Sequence, residues 1–287
     1  MDIARLIAGR RCPGTAHEAL LKREQPATLL PNGKFLIMAA DHPARGAFAA
    51  GPNPRAMEDR FDLLQRLCDA LAVPGVSGLL GTADIIEDLA LLGVLDGKWV
   101  YGSMNRAGLA GAAWELDDRI TGYTARGVAK AGLQGGKILL RIAYNETETV
   151  NTLEMAGKVV TDLSRRKRIA MVEPFISRRE DKQVVNDVST DAVTRSIAIA
   201  SGLGSNSAYT VLKLPDTPDL ERFARATTLP IVILGGEVSN DAAKTLHRWA
   251  LLLEIPNVIG LVIGRSLLYP QSGDVQGAVA NAAQLLS

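Results

Sequence analysis

Eight short apolar runs, rich in β-branched residues, alternate with longer segments whose apolar residues recur every three or four positions. The runs predict strands at 34–40, 76–81, 98–103, 136–143, 168–174, 209–214, 230–236 and 258–264. Several of these runs are apolar almost throughout, which is typical of parallel strands that are buried on both faces. This alternation constrains the fold more than any other feature of the sequence.

The segments between the strands have the periodicity of amphipathic helices. The clearest helical segments are 54–71, 147–165, 187–201 and 240–253. Strands that alternate with helices imply a parallel sheet, either a closed barrel or an open doubly wound sheet. Eight units, and no GxGxxG after the first strand, favour the barrel. We therefore predict an α/β fold, a single (β/α)8 TIM barrel at 34–287, with an N-terminal helical extension at 1–33 that caps the barrel floor.

Charge and composition narrow the classes of partner. The 287 residues carry a net charge of +1, so no global field favours nucleic acid or an anionic membrane. We find no apolar run long enough for a signal peptide or a membrane span. Cys12 and Cys68 fit neither a metal-ligand spacing nor a disulfide framework. The expectation is a cytoplasmic homo-oligomer that binds a small molecule and neither nucleic acid nor membrane.

Active sites of (β/α)8 barrels lie at the carboxyl ends of the strands, and Lys213 stands out there. It lies in the sequence TVLKLP, between Leu212 and Leu214. Apolar surroundings favour the neutral amine, which is the nucleophile that condenses with a carbonyl group. Alternatively, Lys213 extends its ammonium group to the rim or pairs with a carboxylate for solubility alone.

Two carboxylates end other predicted strands. Glu173, in AMVEPF, lies on the strand before that of Lys213 and could move protons for it, or could simply keep a lysine charged as its ion-pair partner. Asp41 follows the first strand and could take a proton from a substrate hydroxyl, or could cap the following turn.

The fourth strand carries Lys137 and Arg141 on one face, about 13 Å apart at ~3.3 Å per residue. We do not expect both side chains to reach one small centre. Lys137 is a candidate catalytic residue, although its place near the strand start also fits a salt bridge at the barrel floor.

Glycines follow the last two strands, in LGGE at 234–237 and IGRS at 263–266. Barrels commonly bind phosphate at this place, through backbone N–H groups and a short helix N-terminus. Arg265 adds a charged donor fork. The pattern predicts a phosphate site that includes Gly235, Gly236, Gly264 and Arg265, whereas each glycine pair alone could serve only a tight turn.

The three histidines, His17, His42 and His247, form no HxH or HxxH pair, so we predict no catalytic zinc site. His42 could contact a substrate or simply pack at the rim. The sequence also lacks a GxSxG motif and a P-loop.

The motifs AADHPARG, KILLRIAYN, VEPF, VLKLP, ILGGE and VIGRSLL occur in this order on the predicted strands. In this order the chain resembles the class I (Schiff-base) aldolases of the tagatose-bisphosphate and DhnA-type fructose-bisphosphate group over residues 34–270. It is also similar to an actinobacterial branch of that superfamily whose genes often lie beside inositol-catabolism genes. It departs from the sugar-bisphosphate enzymes at His42–Pro43, in the SMNRAG loop and in LGGE, so the resemblance specifies the chemistry more than the sugar.

The resemblance implies a Schiff base on Lys213, with Asp41, Lys137 and Glu173 as the other catalytic residues. It also implies a substrate phosphate held by the backbone at Gly235 and Gly236 and by Arg265.

The resulting hypothesis is a class I aldolase that cleaves or forms a C–C bond of a phosphorylated keto-sugar or keto-acid. Because the iminium group would accept the electrons, no cofactor is expected. One candidate substrate is the 2-deoxy-5-keto-gluconate 6-phosphate of inositol breakdown. Two alternatives stay open: a sugar-phosphate isomerase on the same barrel that uses Asp41 and Glu173, and a sugar-phosphate-binding protein without catalysis.

Overall fold

The computed structural model describes residues 1–181, 183–236, 238 and 241–286. Its strands are β1 (Phe35–Ala39), β2 (Val76–Gly81), β3 (Trp99–Ser103), β4 (Gly135–Ile142), β5 (Ile169–Glu180), β6 (Gln183–Asp187), β7 (Thr210–Leu214), β8 (Ile231–Leu234) and β9 (Val258–Ile263). Its α-helices are α1 (Ile3–Arg11), α2 (Thr15–Lys22), α3 (Arg60–Leu71), α4 (Ala83–Leu91), α5 (Ala125–Lys130), α6 (Glu148–Arg165), α7 (Thr190–Ser201), α8 (Leu220–Ala224), α9 (Ala242–Leu253), α10 (Arg265–Leu268) and α11 (Val275–Ala283). Short 3-10 helices form at Pro43–Arg45 and Gln284–Leu286.

Eight of the strands close into a parallel barrel. β1 pairs with β2 on one side and with β9 on the other, and β4 pairs with both β3 and β5. The ring continues from β5 through β7 and β8 to β9. The predicted single (β/α)8 TIM barrel is confirmed, and each of the eight predicted strand runs overlaps a barrel strand.

Apolar side chains fill the barrel and also the layer between the strands and the helices. Phe35, Tyr101, Met171, Val211 and Val262 belong to the interior cluster. Their neighbours along each strand point outward into the larger cluster beneath the helices, which explains the nearly continuous apolar runs.

The N-terminal helices lie elsewhere than we predicted. α1 and α2 pack on α4, in the outer helical layer, and not over the barrel floor. Leu29 and Leu30, in the segment between α2 and β1, pack against the interior cluster instead. The Tyr101 hydroxyl donates a hydrogen bond of 2.7 Å to the Leu29 carbonyl. A short apolar segment therefore covers the floor.

A hairpin above the barrel was not predicted. The predicted strand run ended at Pro174. β5 nevertheless continues to Glu180, because β6 supplies an antiparallel partner from Ile176 onward. Arg179 joins this hairpin to the rim, where its Nε donates to Glu146 at 3.0 Å and its Nη2 to the Ala113 carbonyl at 3.1 Å.

The helices that the structure describes include none that is long and apolar enough to span a bilayer.

Candidate active site

Lys213 and Glu173 stand side by side at the carboxyl end of the barrel. β5 and β7 pair up to Val172 and Leu212, so the next residue of each strand reaches the same level. Lys213 Nζ donates a hydrogen bond to Glu173 Oε1. Lys213 is 4% exposed and Glu173 is 7% exposed, so the contact is almost dry. The Lys213 amine therefore lies inside the barrel mouth and not in the helical layer.

Lys137 lies in the same site and not at the barrel floor. Its Nζ is 2.5 Å from Glu173 Oε2 and donates to Asp41 Oδ2 at 3.0 Å. Lys137 pairs in register with Ser103, the last residue of β3, although it is only the third residue of β4. Barrel strands are staggered by the shear of the sheet. The start of β4 is consequently level with the end of β3, which the sequence does not reveal.

Asp41, two residues beyond β1, receives its donors through one carboxylate oxygen. Ser103 Oγ donates to Oδ2 at 3.2 Å, and Arg106 Nη1 lies 3.2 Å from the same atom. Together with Lys137, these contacts join Asp41 to residues of β3 and β4 and to the loop after β3. We call Asp41, Arg106, Lys137, Glu173 and Lys213 the lysine cluster.

The charges of the lysine cluster shift several pKa values. Burial would raise the pKa of Asp41, but Lys137 and Arg106 outweigh it and hold this pKa well below its usual value. Burial also opposes ionisation of Glu173, yet Lys137 and Lys213 lower its pKa to about 2. Burial lowers the pKa of Lys137, against the attraction of Asp41 and Glu173. Three cationic side chains face two carboxylates, so the cluster can give up a proton without leaving an unpaired anion.

His42 lies beside the lysine cluster as a neutral imidazole. Burial, together with the nearby cations Arg265, Lys213 and Lys137, lowers its pKa to about 3, although Asp41 opposes this shift. Its Nδ1 is 3.8 Å from Asp41 Oδ1, beyond hydrogen-bond distance.

A second buried group of charges borders the mouth, and we call Arg45, Glu115, Asp118 and Arg141 the arginine cluster. Arg141 Nη1 lies 2.5 Å from Glu115 Oε1, and Arg45 Nη2 lies 3.0 Å from the same oxygen. The two guanidinium groups also donate to backbone carbonyls at Gly108 and Glu115. Arg141 thus reaches a different group of residues from Lys137, in keeping with their separation along β4.

The arginine cluster fixes the connection between β3 and α5 over the barrel mouth. Asp118 Oδ1 accepts from the Gly108 backbone amide at 2.9 Å, and Glu115 Oε2 accepts from that of Gly111 at 2.8 Å. Burial, with repulsion from Arg141 and Arg106, lowers the pKa of Arg45 to about 10, which still leaves it charged at neutral pH.

The glycine turns after β8 and β9 meet beside Arg265. Gly236 has a φ of +63°, a conformation that favours glycine. A Cβ atom on Gly264 would lie 2.5 Å from the Ala39 carbonyl oxygen, so only glycine fits there. Within the described part of the chain, Arg265 Nε and Ser266 Oγ are buried donors without a hydrogen-bond partner. Glu237, in the predicted LGGE motif, lies outside the described residues.

The sequence places Arg106 just after the third predicted strand but gives it no role, and Ser103 was not singled out. Their contributions follow from the position of β3, since polar residues at the end of any barrel strand face the same mouth. Arg106 lies in a loop without periodicity, and nothing in the sequence shows that its side chain turns toward Asp41. Over the described ranges, no three His, Cys, Asp or Glu residues are grouped to hold a metal ion.

Comparison with known proteins gives one near relative and several distant ones. The crystal structure of Cgl0159 from Corynebacterium glutamicum is 46% identical in sequence, with a TM-score of 0.95, and the match covers 100% of this chain and 98% of that one. A Schiff-base-forming fructose-1,6-bisphosphate aldolase is 20% identical over 95% of this chain and 100% of its own, with a TM-score of 0.67. An archaeal fructose 1,6-bisphosphate aldolase is also 20% identical, over 94% and 98%, with a TM-score of 0.65.

The distant similarities, at this identity, show the shared barrel fold. No curated protein matches the sequence. The profile of the Cgl0159-like family matches residues 33–283, which is most of the chain. This chain is therefore a member of the Cgl0159-like family.

Proposed function

We propose that this protein is a class I aldolase that cleaves or forms a C–C bond of a phosphorylated keto-sugar or keto-acid through a Schiff base on Lys213. The observation that carries the proposal is the continuous line of contacts from Lys213 through Glu173 and Lys137 to Asp41. This line brings an amine nucleophile, a proton carrier and a second carboxylate into one dry mouth. The barrel shared with Schiff-base aldolases supports the same chemistry.

The first step needs a neutral amine. A proton that moves from Lys213 to Glu173 along their hydrogen bond leaves an amine and a carboxylic acid, and the charge of the pair does not change. Burial favours such a neutral pair, whereas the cations Lys137 and Lys213 hold Glu173 ionised, so the amine attacks from a minor protonation state of the pair. The amine attacks the ketone carbon, Glu173 returns the proton to the departing hydroxyl group, and loss of water gives the iminium ion.

Bond cleavage then needs a base on the other side of the mouth. Asp41 takes the proton from the hydroxyl group beside the C–C bond, and an aldehyde leaves. The electrons of the broken bond move to the iminium group, which becomes an enamine. Protonation and hydrolysis of the enamine release the ketone fragment and restore Lys213. The low pKa of Asp41 keeps it ionised and able to accept this proton.

The turns after β8 and β9 are the proposed site of the substrate phosphate. Arg265 supplies the charge, and the first amides of α10 have no acceptor within their own helix. The buried donors Arg265 Nε and Ser266 Oγ, without partners among the described residues, support an anion at this place. Gly235 and Gly236 would let the phosphate approach the backbone closely.

The experiment is an aldol assay with dihydroxyacetone phosphate and a panel of phosphorylated and unphosphorylated aldehydes. We expect C–C bond formation with at least one aldehyde, and inactivation by borohydride only while the ketone is present. Interconversion of sugar phosphates without inactivation would instead support the isomerase. Binding of sugar phosphates without any turnover or inactivation would support a non-catalytic protein.

A further inference from the structure

Asp41 is anchored through only one of its oxygens. Oδ2 contacts Lys137 Nζ at 3.0 Å, Ser103 Oγ at 3.2 Å and Arg106 Nη1 at 3.2 Å. Across the described residues, Oδ1 accepts no hydrogen bond, and the nearest ring nitrogen of His42 is 3.8 Å away. A carboxylate held in this way cannot rotate freely to exchange its two oxygens.

Arg106 holds Asp41 at two points. The same Nη1 that contacts Oδ2 also donates to the Asp41 backbone carbonyl at 3.2 Å. The guanidinium group is itself fixed, because its Nε donates to the Asn105 carbonyl and its backbone amide donates to Thr121 Oγ1 at 3.0 Å. Arg106 is 7% exposed and therefore almost completely enclosed.

Asn105 ties this arrangement to β4. Regular pairing between β3 and β4 ends at Ser103 and Lys137. Two residues later, Asn105 Nδ2 donates to the Leu139 carbonyl at 2.6 Å, and the Leu139 amide donates to Asn105 Oδ1 at 2.8 Å. The side-chain amide thus replaces a backbone partner and continues the ladder. As a result, Arg106 and Lys137 keep a fixed spacing around Oδ2 of Asp41.

We propose that Arg106 is a positioning residue that, with Lys137 and Ser103, anchors Oδ2 of Asp41 and leaves Oδ1 as the oxygen that takes the substrate proton. The inference rests on the proposed aldol reaction and deepens it. The hydroxyl proton moves to Oδ1, and the electrons of the C–C bond move to the iminium group on Lys213. Arginine suits this role because its Nε, which donates to the Asn105 carbonyl, fixes the direction of Nη1 toward the carboxylate and the carbonyl of Asp41, whereas lysine offers one point charge on a flexible stem.

Several charges act on Asp41. They come from Lys137 on β4, Lys213 on β7, Glu173 on β5 and Arg106 in the loop after β3, while the adjacent His42 is a neutral imidazole. The loss of Arg106 removes one cation from a buried carboxylate and so raises the pKa of Asp41. A base with a raised pKa is protonated at higher pH. The acid limb of the pH–rate profile therefore moves to higher pH.

The test compares Arg106→Met and Arg106→Lys with the control Arg179→Met, which breaks a different arginine–carboxylate pair at the mouth. For cleavage of the aldol product that dihydroxyacetone phosphate forms with the best aldehyde of the panel, Arg106→Met should lower kcat by about 100-fold and change KM little, because it impairs proton transfer to Asp41. Its acid limb should move to higher pH. Arg106→Lys should recover part of kcat, and Arg179→Met should match the wild type.

A second measurement needs no turnover. The carboxyl carbon of Asp41 is followed by NMR in protein labelled with ¹³C-aspartate, with Asp41→Asn to assign the signal. Asp41 should titrate at higher pH in Arg106→Met than in the wild type or in Arg179→Met. If Asp41 titrates at the same pH in the folded Arg106→Met variant as in the wild type, Arg106 does not have the positioning role. The same holds if the acid limb of the pH–rate profile does not move.

Borohydride trapping separates this inference from the proposed function. Schiff-base formation does not use Asp41, so Arg106→Met should still form the adduct with dihydroxyacetone phosphate. If trapping falls in parallel with kcat, Arg106 supports the whole site and the positioning role is wrong. If the wild type traps no ketone phosphate, the proposed function fails, and the NMR titration still decides whether Arg106 controls Asp41.

Discussion

The lysine cluster and the arginine cluster are both buried at the barrel mouth, yet their chemistry differs. In the arginine cluster two arginines face two carboxylates, and the guanidinium groups also bind backbone carbonyls. In the lysine cluster three cations face two carboxylates, and two of those cations are lysines. Arginine does not lose its proton at physiological pH, whereas a buried lysine can.

This difference separates a structural ion network from a reactive one. The arginine cluster holds the β3–α5 connection in place and has no excess charge to release. The lysine cluster has a surplus cation, short paths between lysine and carboxylate, and one carboxylate oxygen without a partner among the described residues. The contrast suggests that an excess of titratable cations, more than burial, distinguishes a candidate catalytic cluster.

Removal of the proposed nucleophile should give the largest effect. We expect Lys213→Met to lower kcat on the order of 10⁴-fold or more, because it removes the amine that is proposed to form the covalent intermediate. Binding of inorganic phosphate, followed by calorimetry, should persist because Arg265 is untouched. Substantial turnover in this variant would contradict the view that the lysine cluster is the reactive one of the two clusters.

Substitutions in the arginine cluster should lower the free energy of unfolding. Glu115→Gln leaves two buried guanidinium groups without their shared carboxylate and should lower the free energy of unfolding by about 3–5 kcal/mol. Glu146→Gln, which breaks the more exposed pair with Arg179, should cost at most about 1 kcal/mol. Denaturant unfolding of both variants gives the comparison. Equal losses would show that the arginine cluster is not a structural network.

The lysine cluster should make stability depend on acid pH. Because the folded pKa of Glu173 is about 2 and its ordinary value is 4.5, the unfolded chain binds more protons between these pH values. This contribution to stability, a few kcal/mol, is therefore complete above about pH 4.5 and is lost as the pH falls toward 2. Glu173→Gln should flatten the dependence, measured by denaturant unfolding across this range. A wild-type curve that is already flat would argue against the charged cluster.

Arg265 should affect binding more than chemistry. Arg265→Ala removes a charged hydrogen-bond donor and should raise KM for dihydroxyacetone phosphate by about 10–100-fold, with a smaller change in kcat. Arg222→Ala, in which the lost side chain pairs with Asp191 on the outer helices, is the control and should behave like the wild type. The phosphate site would be misplaced if the two variants gave the same KM.

The barrel could be predicted because a strand that is buried on both faces has a continuous apolar sequence, as at residues 231–234. Lys213 and Glu173 could be predicted because a charged residue in an apolar strand is costly unless it has a role or a partner. Lys137 was ambiguous, since the shear that brings it level with Ser103 is a property of the closed sheet.

The remaining parts depend on contacts between distant segments. The β5–β6 hairpin was missed because the antiparallel partner that extends β5 comes later in the chain. The placement of α1 and α2 against α4, and the reach of Arg106 to Asp41, likewise follow from tertiary packing that no periodicity encodes.

The central claim is that Lys213, and not its neighbour Lys137, forms the covalent bond, although both amines contact Glu173. The direct measurement is borohydride reduction in the presence of dihydroxyacetone phosphate, followed by peptide mapping by mass spectrometry. The account predicts a single reduced adduct on the peptide that contains Lys213, and none in Lys213→Met. An adduct on Lys137, or no adduct on either lysine, would contradict it.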